Sequence, residues 1–176
     1  MDVKKAVDFL RAGKIVIFPT DTVYGLLALA SNKKAVDKIY KIKKRPKSKP
    51  LPTFVKSFAA AKELAEINKN QEKIIKKYWP GKYTFILNKK YGRGTIALRI
   101  PKYKPLNNLL KRVNAPLAQT SVNISGQPPL TKIKDILEIF GVASGVDLII
   151  NGGNLPNRKP STIIDLIKEK NKILRK

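Results

Sequence analysis

Six cations crowd nine residues of "YKIKKRPKSKPLPTF" (Tyr40–Phe54): Lys41, Lys43, Lys44, Arg45, Lys47 and Lys49. Lys43 and Arg45 stand one residue apart, followed at once by Pro46 and then by Pro50 and Pro52. Arginine offers a planar fork to a phosphate or carboxylate, and lysine a mobile point charge. Prolines stiffen the chain that carries them. A solvated charge run is the plain alternative. Three other stretches could do chemistry. "PTDTVYGL" (Pro19–Leu26) gathers two hydroxyls, a carboxylate, a tyrosine and a glycine after an apolar run. In "GTIALRIP", Arg99 interrupts an apolar strand pattern, so it must reach solvent, a bound anion or a carboxylate such as Asp21 or Asp165. "TSVNISGQPP" places Thr120, Ser121, Asn123 and Ser125 beside Gly126, a set able to bind phosphate or ribose. The ordinary alternatives are a polar turn for the first stretch and Asx or ST turns for the last.

The chain has no histidine and no cysteine. That excludes imidazole acid–base chemistry, thiol nucleophiles, Ser-His-Asp triads and Cys/His zinc sites. Only twelve carboxylates are present and none forms a tight Asp-x-Asp cluster, so no protein-built metal site is expected. An enzyme of this composition must hold reactants and neutralise anionic charge with Lys, Arg, hydroxyls and backbone N–H groups. Thirty-seven cations against twelve anions give +25, which favours polyanionic partners such as nucleotides or RNA.

The elements that must position these residues follow from hydropathy. At 176 residues and 43% hydrophobic, one domain spanning 1–176 is expected, large enough to bury roughly 70% of its unfolded surface. No apolar run reaches the roughly 18 residues of a membrane span, the N-terminus is too charged for a secretory signal, and cysteine is absent; a cytoplasmic protein is expected. Helical spacing predicts helices in "DVKKAVDFLRAG", capped by Asp2 and stopped at Gly13, and in "SNKKAVDKIYKIKK", capped by Ser31. More helices are predicted in "SFAAAKELAEI", "NQEKIIKKYW", "KPLNNLLKRV" and "TKIKDILEIF", the last turning Ile133, Ile136, Leu137 and Phe140 inward. Strands are predicted in "KIVIFP", "TFVKS", "KYTFILN", "TIALRIP", "APLAQTS", "VDLIIN", "STIIDL" and "KILR". Strands and helices intermix with imperfect alternation, which argues an α/β protein with a twisted mixed sheet flanked by helices.

Seven motifs in register carry a family resemblance: "FPTDTVYGL", the Lys-x-Arg-Pro of "KKRP", Pro50–Leu51, "WPG" with "TFIL", "IALRIP", "TSVNISG" and "KPSTIIDL". With them the chain resembles the YrdC/YciO family, and within it the single-domain threonylcarbamoyl-AMP synthases. The resemblance implies a twisted α/β fold with a basic concave surface. It implies condensation of L-threonine, bicarbonate and ATP, with Mg²⁺, into L-threonylcarbamoyladenylate and pyrophosphate. Other proteins would then transfer the threonylcarbamoyl group to adenosine 37 of tRNA. Carried over by motif, Thr22, Arg99 and Ser161 would contact threonine. Lys43, Arg45, Thr95, Ser121 and, late in the chain, Arg175 would contact ATP. Lys43, Arg45, Ser121 and Asn123 would form the catalytic set. Two other readings remain: an RNA- or ribosome-binding factor on the same fold, and a carbamoyl-transfer enzyme with a different acceptor.

Overall fold

A computed structural model describes residues 1–141, 144–167 and 172–175. All nine described strands join one sheet, in the order β7-β1-β2-β6-β3-β5-β4-β8-β9. Three helices precede its middle: α1 (Val3–Arg11), α2 (Lys33–Ile42) and α3 (Phe58–Leu64). Three follow: α4 (Lys69–Tyr78), α5 (Lys104–Val113) and α6 (Ile133–Phe140). The strands are β1 (Val16–Phe18), β2 (Gly25–Leu29), β3 (Thr53–Phe54), β4 (Tyr83–Asn88), β5 (Thr95–Arg99), β6 (Leu117–Ser121), β7 (Leu148–Ile149), β8 (Thr162–Asp165) and β9 (Lys172–Arg175). Pairing is parallel in β1–β7, β3–β5 and β4–β8, and antiparallel elsewhere, so the sheet is mixed. Among the described residues, no helix is long and apolar enough to cross a membrane.

Strand alternation distributes the core. Val16 and Phe18 of β1 meet α1 and α5 on one face, through Ala6, Val7, Leu10, Leu106, Leu109, Leu110 and Val113. Ile15 and Ile17 meet α2 and α6 on the other, through Ala35, Ile39, Ile136 and Phe140. Each such buried aliphatic contributes about 2 kcal/mol. At the far side, Phe85 and Leu87 of β4, Leu98 of β5 and Ile164 of β8 pack against α3 and α4. The intervening residues Ile86, Ala97, Arg99 and Ile163 emerge on the opposite face, where they line a cavity.

Three sequence expectations need correction. Asn32, not Ser31, caps α2: its side chain accepts the Ala35 N–H at 3.0 Å, because the chain turns helical only after it. Leu137 does not face inward but is half exposed, since Ile136 and Phe140, one turn apart, already take the core side of α6. Gly25 and Leu26 do not belong to a loop: they open β2, a strand the sequence reading did not assign. β2 is buried on both faces, so its "GLLAL" run has none of the polar alternation that marks a half-exposed strand.

Candidate active site

A cavity of about 330 Å³ opens on the sheet face turned away from α3 and α4. Thr22, Arg45, Arg99, Ser121, Ser161 and Arg175 all line it. A second pocket of about 200 Å³ adjoins it, sharing Arg45, Ser121 and Arg175 and adding Lys43 and Asn123. Residues from six separate segments thus converge. Thr95 is the exception: it begins β5, exposed, beyond the lining residue Ala97.

Arg99 is buried at 2% exposure and resolves the choice its sequence context left open. It pairs with Asp21 at 2.6 Å, while Asp165 instead accepts the Ile167 N–H. Its Nε donates to the Gly81 carbonyl at 2.9 Å and its NH1 to Thr22 Oγ1 at 3.4 Å. The guanidinium lies 5.5 Å from the Phe54 ring centroid. Asp21 also accepts the Lys102 N–H at 3.1 Å. The Gly81 carbonyl can sit there because position 81 carries no side chain; a Cβ would collide with the Tyr78 carbonyl. Two of Arg99's five N–H donors have no partner among the described residues.

The Pro19–Tyr24 turn is braced internally and from outside. Thr20 Oγ1 accepts the Thr22 N–H at 3.0 Å and donates to the Val23 carbonyl at 2.7 Å. Tyr24 Oη accepts the Gly152 N–H and donates to the Gly153 carbonyl. Gly152 lies so close that a Cβ would meet Pro19 at 2.7 Å. Arg158 donates to the Asp21 carbonyl at 3.2 Å. These braces escaped the sequence reading; "NGGN", a paired glycine after a strand, was the available signal.

Lys43 ends α2, and its neighbour Lys44 takes the left-handed conformation at φ 49°. The Lys44 N–H donates to the Lys41 carbonyl and the Arg45 N–H to the Tyr40 carbonyl, the two bonds of a Schellman cap. The cap turns Lys43 into the protein, where its Nζ donates to the carbonyls of Ser121 and Asn123 and to Asn123 Oδ1, at 2.5, 2.9 and 2.7 Å. Burial, reinforced by Arg45, pushes its pKa down to about 8. Arg45, half-buried, donates to the Lys49 and Pro50 carbonyls and keeps three N–H donors without a partner among the described residues. Lys47, by contrast, stands on the surface in an ion pair with Asp37 at 2.7 Å.

Opposite, Arg175 of β9 donates to the Ser161 carbonyl from Nε at 3.0 Å and from NH2 at 2.8 Å. Ser161 Oγ meets Thr84 Oγ1 at 2.9 Å. Burial lowers the pKa of all three arginines; for Arg175, Arg45 and Arg99 add to it. An anion in the cavity would relieve that repulsion and occupy the unused donors.

The Sua5/YciO/YrdC family model, described as telomere recombination, matches residues 8–176. A Methanocaldococcus jannaschii protein, named as a putative threonylcarbamoyl-AMP synthase, is 41% identical over 95% of this chain and 83% of its own length. A Pyrococcus abyssi threonylcarbamoyl-AMP synthase is 37% identical over 93% of this chain, which spans only 50% of that relative. The crystal structure of Pyrococcus abyssi Sua5 complexed with L-threonine superposes with a TM-score of 0.90 at 36% identity, covering 98% of this chain and 53% of the other. By sequence match and by fold, the chain belongs to the Sua5/YciO/YrdC family.

Proposed function

We propose that this chain is an L-threonylcarbamoyladenylate synthase. The threonine amine would combine with bicarbonate, losing water, to give a carbamate. A carbamate oxygen would then attack the α-phosphorus of ATP, with pyrophosphate leaving. The observation that carries this reading is the meeting of Arg45, Arg99 and Arg175 around one cavity whose lining, among the described residues, includes no carboxylate, the one ion pair there being Arg99 with Asp21 behind the wall. Guanidiniums gathered without matching anions mark a site for a strongly anionic ligand. The family relatives named threonylcarbamoyl-AMP synthase support the choice of reaction. Thr22, Arg99 and Ser161 form the wall assigned to threonine, with Arg99's free N–H groups facing its carboxylate. Arg45, Arg175, Ser121 and the Lys43–Asn123 cluster form the wall assigned to the phosphates. Charge developing on phosphate oxygens would be met by preorganised donors, so no protein nucleophile is required. A carbamate hydrolyses readily in water, and a recessed cavity shields it.

Among the described residues, no group of three metal-ligating side chains converges. Asp21 is already engaged by Arg99 and the Lys102 N–H. The side chains present do not fit a protein-held magnesium, and Mg²⁺ enters this proposal only as the counter-ion of ATP, part of the substrate. The product would pass in the cytoplasm to the machinery that modifies tRNA.

The test is pyrophosphate release. It should require ATP, bicarbonate and threonine together; release at an undiminished rate without threonine would defeat the assignment. Arg45→Ala should lower turnover about 100-fold while the fold is kept, and an active Arg45→Ala enzyme would remove its role. Serine in place of threonine separates this reaction from carbamoyl transfer to another amino acid.

A further inference from the structure

The cavity's cations are not equivalent. Among the described residues, Arg45 and Arg175 keep unused N–H donors, whereas Lys43 has none to give. An ammonium carries three N–H groups, and all three are taken, by two carbonyls and one amide oxygen of the segment Ser121–Asn123. Lys43 is 1% exposed although it borders the second pocket, so little of its ammonium is open to water. Its main chain joins the same bracing: the Lys43 carbonyl accepts the Ser125 N–H at 2.9 Å. Asn123 is held in turn. Its Oδ1 accepts Ser121 Oγ at 2.7 Å as well as the ammonium, and its Nδ2 donates to the Gln127 carbonyl at 2.5 Å. One residue at the end of α2 therefore anchors a whole loop at the edge of both pockets. A direct bond from Lys43 to a phosphate oxygen would strip a partner from a buried carbonyl or amide oxygen, which is costly.

We propose that Lys43 is a positioning residue: it acts on the anionic substrate through the Ser121 hydroxyl and Asn123 amide that it holds in place, and does not itself touch phosphate. This rests on the nucleotide reading above. It divides the Lys-x-Arg pair into a strut, Lys43, and a contact, Arg45.

The test is a double-mutant cycle read as ATP affinity by calorimetry, with amide hydrogen exchange on the same proteins. Lys43→Met should weaken ATP at least tenfold in the wild-type background, but less than twofold once Ser121→Ala and Asn123→Ala are present. Arg45→Ala should keep its full effect in that background. Lys43→Met should also speed exchange across residues 121–127 while leaving α4 unchanged, which separates loop release from general destabilisation. The strut is overturned if Lys43→Met weakens ATP by the same factor in both backgrounds, or if it leaves ATP affinity unaltered. Should the wild-type chain bind no ATP, the nucleotide reading fails by itself. The exchange data then decide on Lys43, and unchanged protection at 121–127 would refute its anchoring role.

Discussion

Arg99 and Asp21 make a buried pair whose two members do different work. Asp21 supplies the counter-charge and fixes the fork; Arg99 presents what remains of it to the cavity. Removing the acid leaves an uncompensated buried cation, so Asp21→Ala should destabilise the fold by about 3 kcal/mol in urea unfolding. Lys43 makes a second prediction. Its ordinary pKa of 10.5 falls to about 8 in the folded protein. Above about 8 the folded chain sheds a proton that the unfolded chain still holds, so the unfolded state binds more protons and stability rises with pH across that window. Wild type should therefore gain stability relative to Lys43→Met between about pH 8 and 10.5. ATP affinity should move the other way and fall above pH 8, because a neutral amine has only two N–H groups for three oxygens.

The elements show what sequence patterning can and cannot reveal. Helical spacing identified α1, with Asp2 as its cap, and α4 from Asn70 onward; the Asn68 capping box that starts α4 at Lys69 was not read. Apolar runs found eight of the nine described strands, while β2 was hidden by its burial on both faces. Motifs picked out residues that line the cavity, Thr95 apart, yet their joint placement depends on register: Arg99 reaches it because it alternates with Leu98, which is committed to the α3–α4 core. What stayed illegible was long-range bracing by main-chain atoms: the Gly81 carbonyl on Arg99 leaves no side-chain pattern, and the Gly152 contact with Pro19 leaves only the paired glycine of "NGGN". The cap of α2 was unreadable for a related reason, since a left-handed position is usually glycine and here is Lys44. Lys44→Gly should relieve about 1 kcal/mol of strain and raise the urea midpoint, whereas Lys44→Val should lower it.

At the scale of the whole molecule, +25 charges act on any polyanion. RNA affinity should fall steeply with salt, and saturating ATP should leave it unchanged if RNA rests on the outer surface rather than in the cavity. Competition by ATP in a filter-binding assay would place RNA in the cavity instead. The sheet order adds a consequence of its own. Among the described residues β9 is an edge strand, hydrogen-bonded to β8 alone, yet it brings Arg175 to the cavity. Fraying that one edge would dismantle a wall while the other eight strands stand, because edges open at a fraction of the global unfolding free energy. Ligand occupancy and edge closure are then thermodynamically linked: protection of the Lys172–Arg175 amides should climb with ATP concentration before that of any central strand.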